Sequence, residues 1–380
     1  MIYLDYNATT PVDKRVVDAM IPFFGINFAN SASDHSMGVE AKNAVDKSRL
    51  DIANLIHAKS NEIVFTSGAT ESNNLALLGF ASKNKGDKNH IITSRIEHPS
   101  VLNPCKHLES LGFQVTYLPV DKYGLVDPDV FEDSVTKDTF LISIMFANNE
   151  VGTIQSIYEI GRIARRHNIL FHTDAAQAVG YVPIDVDKMN IDLMSMSAHK
   201  FYGPKGVGAL FVRSRIPRVS LLPIVFGGGQ ERGMRSGTLN VPLIVGMGVA
   251  CKLVHKNMPE EHKRFKVLVQ KIYEEIKQNN LEVKINGHDI QRLPHNLNIE
   301  IPGVDNKWLL LKMKDFCFST GSACSVLHDE PSYVLSAMGL DRKRINNCIR
   351  ISIGRDTTDE EVNSFVDDIN KYTKESVSVN

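Results

Sequence analysis

The chain is predicted to be an α/β protein built on a largely parallel sheet, followed by a smaller α+β unit. Three observations predict this. Seven short apolar runs recur between residues 62 and 213. Stretches of helical length lie between most of them, and strands alternating with helices give parallel sheets. From about residue 258 the texture changes to a long charged helical pattern followed by separated apolar runs.

Taken in order, EIVFT (62–66), HIITS (90–94), QVTYL (114–118), TFLISIMF (139–146), ILFHT (169–173), IDLMSMS (191–197) and GALFVR (208–213) are the expected buried strands. Helices are expected over 41–56, 71–83, 100–111 and 156–167. Beyond them come a charged helix at 259–279, strands HNLNIEI and CIRISI, and a last helix at 358–373, with SVSVN as a loose end. The expected division is a large domain over 10–257 and a small one formed by 1–9 with 258–380. There is no internal repeat and no low-complexity tract.

Composition narrows the function. The 380 residues carry 43 Lys plus Arg against 44 Asp plus Glu, a formal net charge of -1. A dedicated nucleic-acid binder concentrates excess basic charge, so no direct nucleic-acid partner is expected. No apolar run approaches the roughly 20 residues needed to cross a bilayer, so no membrane partner is expected either. The opening MIYLDYNATTP has neither a basic nor an apolar signal region. Cys105, Cys251, Cys317, Cys324 and Cys348 show no CxxC spacing and no zinc pattern. Reduced thiols, a cytoplasmic location and no metal are the expectations.

The chemistry-bearing residues fall at strand ends. In SMSAHKFYGPKGVGAL (195–210) a buried strand runs into Ser197, His199 and Lys200. Most lysines are solvated. A partly desolvated one beside small polar donors can instead form a Schiff base with an aldehyde cofactor. Asp174, in FHTDAAQ, reads equally as the cap of a following helix or as a carboxylate facing a ligand, because ligands of open α/β sheets sit at strand C-termini. Paired with Lys200 it fits pyridoxal phosphate, whose ring nitrogen needs a carboxylate to stay protonated. Gln177 is placed to reach the cofactor's phenolic oxygen.

Two Gly–Thr turns suit a phosphate. FTSGATESNN (65–74) is a strand, a Gly68 turn and a helix opening at Thr70, where exposed backbone N–H groups favour an anion. SGTLN (236–240) is the second. His98, in EHPS, also follows a strand, though a single histidine is more often structural.

Nine motifs occur in order: LDYNATTP, FTSGATESNN, EHPS, NNEVG, HTDAAQ, SAHKFYGPKG, GGGQERGMRSGT, STGSAC and RISIGR. Together they resemble the NifS/IscS-type cysteine desulfurases, class V aminotransferase-like enzymes of the fold-type I pyridoxal-phosphate group. The resemblance implies that fold, with a mainly parallel seven-stranded sheet in the large domain. It implies pyridoxal 5'-phosphate as cofactor, L-cysteine as substrate and a homodimer. Lys200 would hold the cofactor covalently and move the Cα proton. Asp174 would pair with the ring nitrogen, His98 would stack on the ring and assist proton transfer, and Gln177 would contact the phenolic oxygen. Ala69, Thr70, Ser197 and His199 would bind the phosphate, joined by Thr238 of the neighbouring subunit. Asn149 and Arg350 would hold the substrate carboxylate.

Cys324 discriminates among pyridoxal-phosphate reactions, since the cofactor residues alone suit aminotransfer or β-elimination as well. It lies in STGSACSV, a small-residue stretch, whereas the other four cysteines sit in apolar surroundings. Its thiolate would take the substrate sulfur as a persulfide, with His98 as candidate acceptor of the thiol proton. STGSAC, rather than RTGHHC, resembles the NifS/IscS branch, whose long loop carries sulfur to an acceptor protein. That acceptor is expected to be a cluster scaffold or a nucleic-acid thiolation enzyme. Two departures stand out: Ser31 replaces a common Pro, and the chain ends soon after its last helix, where IscS-type members carry a scaffold-docking tail.

Overall fold

The computed structural model describes residues 1–84, 88–279, 282–321 and 330–379. Its strands are β1 (Ile2–Tyr3), β2 (Ile63–Thr66), β3 (His90–Ser94), β4 (Gln114–Leu118), β5 (Thr139–Ser143) and β6 (Leu170–Asp174). They continue as β7 (Leu193–Ser197), β8 (Gly208–Val212), β9 (Lys284–Asn286), β10 (Asn296–Glu300), β11 (Phe316–Cys317) and β12 (Cys348–Ser352).

Seven of these form one sheet in the order β2–β8–β7–β6–β5–β3–β4. β3 to β7 pair in parallel, while β8 runs antiparallel to both β7 and β2. β2 therefore points the same way as the parallel set, and the C-terminal ends of β2, β3, β5, β6 and β7 share one edge. Strands β2, β3, β5, β7 and β8 are buried at every residue, as expected where helices cover both faces. The helix Ile157–Arg166 shows why: Ile157, Ile160, Ile163 and Ala164 form one buried stripe, while Glu159 and Arg162 pair outside it. Each large apolar side chain sealed in this core, such as Phe171 or Phe211, contributes about 1.5–3 kcal/mol.

A three-stranded antiparallel sheet, β12–β10–β9, forms the second layer system. The N-terminus joins it: β1 pairs with β11, and single bridges link Asp5 to Ser352 and Ser319 to Arg350.

Four local expectations change. The helix expected at 259–279 begins at Val241 and runs unbroken to Gln278, carrying the chain past residue 257. Pro259 lies inside it but on the exposed side. Gly248 lets this helix press on the helix Ser36–Leu55, since a Cβ there would meet Ser48 Cα at 2.7 Å. Residues 175–180 after β6 are turns, not a helix. β5 ends at Ser143, short of 146. The last helix, Asp359–Val379, takes in most of the expected loose end. Among the described residues no helix is long and apolar enough to cross a membrane, and no group of three metal-ligating side chains forms.

Candidate active site

The shared strand edge opens into a cavity of about 460 Å³. Ala69, Thr70, His98, Asn149, Asp174, Gln177, Ser197, His199, Lys200 and Arg350 all line it. Thr238 does not; it is exposed elsewhere on this chain. Cys324 lies outside the described residues.

Asp174 ends β6 and is 5% exposed. Asn73 Nδ2 donates to its Oδ2 at 2.7 Å, and the Ala176 N–H donates to Oδ1 at 2.9 Å. The second bond is a local turn, which settles the choice between a cap and a cavity-facing group: no helix follows for Asp174 to cap. Among the described residues it forms no ion pair, so a buried carboxylate here is left to be complemented by a cationic ligand.

Lys200 follows β7 on a short 3-10 turn. Its Nζ donates to the carbonyls of Asn7 at 2.6 Å and Ala8 at 2.8 Å. Gln177 and Asn7 grip one another: Asn7 Nδ2 donates to Gln177 Oε1, and Gln177 Nε2 donates to the Asn7 carbonyl, both at 3.0 Å. The N-terminal segment thus forms one wall.

The opposite wall is the start of the helix Ala69–Lys83. Its N-cap is Gly68, with φ +155°, and among the described residues no side chain caps it, so first-turn N–H groups are left for an anion. Gly208 of β8 allows this approach, because a Cβ there would meet Gly68 Cα at 2.6 Å. Glu71 in the same turn is neutralised by Arg235 at 2.7 Å. Lys205 also lines the cavity, near His199. Burial, then Lys200 and Lys205, pushes the His199 imidazole down to about 4, so it is neutral at pH 7. Burial likewise lowers His98, Asp174 opposing and Lys200 adding to the effect.

Arg350 is 2% exposed rather than solvated on its strand. Its Nη2 donates to Asp5 Oδ1 at 2.6 Å and its Nη1 to the Asn149 carbonyl at 3.0 Å. Among the described residues, Arg350 Nε and Asn149 Oδ1 are buried with no partner.

The cysteines divide nearly as expected. Cys105, Cys251 and Cys348 are buried, and burial pushes each thiol well up, to about 12 for Cys105 and Cys348. Cys317 is the correction: it is only half-buried. Sequence reasoning assigned no role to Asp5, Asn73, Ser100 or Lys205. Asn73 lies within a quoted motif, but nothing local signals its reach to Asp174, 101 positions on.

The model of the aminotransferase class-V family matches residues 2–365. "Cysteine desulfurase IscS" of Rickettsia bellii is 50% identical over 366 residues, covering 96% of this chain and 89% of that protein. A solved "NIFS-LIKE PROTEIN" superposes with a TM-score of 0.92 at 39% identity, covering 98% of this chain and 99% of its own. A structure described as "SspA in complex with cysteine" gives 0.83 at 42% identity, covering 93% and 99%. With its fold, its cavity and these matches spanning nearly its whole length, the chain belongs to the class V aminotransferase family, among the NifS/IscS-type cysteine desulfurases.

Proposed function

We propose that the protein is a pyridoxal 5'-phosphate-dependent cysteine desulfurase that converts L-cysteine to L-alanine and passes the sulfur, through a persulfide on Cys324, to an acceptor protein. The observation that carries this reading is the convergence of Lys200, Asp174, His98 and Arg350, from four separate stretches of chain, on one cavity.

The residues present fit the cofactor. The buried carboxylate of Asp174 without an ion-pair partner suits a protonated ring nitrogen, and the uncapped helix start at Gly68 suits a phosphate. When bound, the cofactor supplies an electron sink for charge developing at the substrate Cα. Lys200 would hold its aldehyde carbon and then move the Cα proton. Gln177 would meet the phenolic oxygen and His98 the ring face. Ala69, Thr70, Ser197 and His199 would hold the phosphate, with Thr238 reaching in from the partner of a homodimer. The exposure of Thr238 on its own chain supports that arrangement.

Arg350, with Asn149 beside it, would orient the substrate carboxylate, its unpaired Nε leaving a donor for the purpose. In the net step the substrate C–S bond breaks and an S–S bond forms to Cys324 Sγ. The C–S electron pair stays with carbon, which takes a proton to give L-alanine. The acceptor would be a cluster scaffold or a nucleic-acid thiolation enzyme, and the compartment the cytoplasm, which the free thiols support. The large unit 10–257 and the small unit 1–9 with 258–380 belong to the same reading, supported by the pairing of β1 with β11.

The test is Cys324→Ala, assayed with L-cysteine. Sulfide release should fall to background while the bound cofactor's visible absorbance persists and borohydride still traps it on Lys200. Undiminished sulfide release, or pyruvate and ammonia in place of alanine, overturns the reading.

A further inference from the structure

A chain of hydrogen bonds runs behind the cavity from His98 to Asp174. His98 Nδ1 lies 2.8 Å from Ser100 Oγ and also accepts the Ser100 backbone N–H at 3.1 Å. Asn73 Nδ2 donates to Ser100 Oγ at 2.8 Å and to Asp174 Oδ2 at 2.7 Å. Asn73 and Ser100 are buried.

The roles along this chain are set from its two ends, the Asp174 carboxylate and the Ser100 backbone N–H, each of which has only one role available. The Asp174 carboxylate accepts, so the Asn73 amide must turn its NH2 toward it; the flipped amide would set oxygen against oxygen. That NH2 has two hydrogens, and the second goes to Ser100 Oγ. The hydroxyl can donate or accept again, and it is the backbone N–H beside it that makes it the donor to His98 Nδ1. The Ser100 backbone N–H can only donate, and it points at the same nitrogen. This second bond is the N-cap of the helix Pro99–Ser110, a place usually filled by a Ser, Thr, Asp or Asn oxygen. Two donors therefore meet at Nδ1, which leaves no room for a proton there.

We infer that Asn73 and Ser100 are positioning residues that hold His98 as its neutral Nε2–H tautomer, so that the imidazole offers the cavity a hydrogen-bond donor and not a base. A proton on Nδ1 would break the helix cap and oppose the Ser100 hydroxyl. With hydrogen already on Nε2, the ring cannot take a proton from a thiol on its cavity side. The charged groups facing it from neighbouring elements are Asp174 and Lys200, and burial adds to the preference for the neutral ring. This differs from the acceptor role that the sequence alone suggests for His98. Its bearing on turnover rests on the desulfurase reading, whereas the tautomer itself does not.

The tautomer is read by two-bond 1H–15N correlation spectra of the full chain labelled in histidine, recorded with the cofactor bound and after its removal. The expected result is an Nε2–H signature for His98 at neutral pH, with titration only below the ordinary imidazole range. Ser100→Ala should introduce an Nδ1–H population and raise the pH at which His98 titrates, and Asn73→Leu should act in the same direction. Ser100→Thr, which keeps the hydroxyl, should restore the wild-type spectrum. An Nδ1–H signature in the wild type, or ordinary titration near pH 6.5, overturns the inference. So does a Ser100→Ala spectrum identical to that of Ser100→Thr. If the spectra come out as expected while L-cysteine yields no alanine, the desulfurase reading fails and the tautomer assignment stands.

Discussion

Arg350 and Asp5 stand 345 positions apart in the chain yet form an ion pair of 2.6 Å at the cavity wall. Arg350 is buried on β12, and Asp5 reaches it because the N-terminal segment bridges to Ser352 of the same strand. The pair fixes the guanidinium that faces the substrate space, and it joins the first residues to the second sheet.

Arg350 is buried and Asp5 half-buried, so removing Asp5 leaves the guanidinium uncompensated at a cost toward the low end of the about 3–5 kcal/mol of a fully buried pair. Asp5→Ala should therefore lower stability by about 3 kcal/mol in chemical denaturation, with Asp5→Asn losing less because it keeps an acceptor. In steady-state kinetics with L-cysteine, Asp5→Ala should raise KM more than it lowers kcat, since it loosens the group proposed to hold the substrate carboxylate. An unchanged KM would show that Asp5 does not position Arg350.

Gly208 offers a steric test of the proposed phosphate turn at Gly68. A Cβ there would meet Met196 O at 2.5 Å and Gly68 Cα at 2.6 Å, and both are backbone atoms that cannot swing away. Gly208→Ala should cost about 1–3 kcal/mol of stability, the usual range for overpacking. Because the displaced atom belongs to the N-cap of the helix Ala69–Lys83, cofactor affinity should also fall, measured as faster loss of visible absorbance on dialysis. Gly25→Ala, where a Cβ would meet nothing within 4 Å, is the control.

Glu97 offers a pH test. Complete burial pushes its carboxyl up to about 8, against hydrogen bonds from Ser94 Oγ and the Met145 N–H; Asp174 adds to the rise. Between about pH 4.5 and 8 the folded protein keeps a proton here that the unfolded chain has released, so this group's contribution to stability falls as pH rises. Glu97→Gln mimics the protonated form, and Glu97 Oε2, which the amide nitrogen would replace, has no partner to lose among the described residues. The variant should gain on the wild type from pH 5 to pH 8, by on the order of 4 kcal/mol. His172, held down at about 3 by burial, acts in the opposite sense below pH 6.5 but equally in both proteins. A constant difference across this range would contradict the assignment.

How much of this was legible in the sequence depends on how local each feature is. The seven strands of the large sheet and the strand-end positions of Asp174, Lys200 and His98 follow from apolar runs broken by turn residues, all short-range signals. The helix Val241–Gln278 was misread at its start because MPEEH carries the marks of a new helix, a Pro followed by acidic residues. Pro259 is tolerated inside because it faces solvent. Asp5, Asn73 and Ser100 were not legible, because their roles come from tertiary juxtaposition: Asn73 Nδ2 spans from one helix to Ser100 on another and to Asp174 on β6.

In the proposed reaction sulfur leaves L-cysteine onto one thiol of this chain. The most direct measurement is intact-mass and peptide mass spectrometry after a single turnover with L-cysteine and no acceptor. The peptide carrying Cys324 should become one sulfur atom heavier, with one equivalent of L-alanine released. Alanine formed with the added sulfur on Cys317 or on no cysteine at all, or sulfur release without alanine, would contradict it.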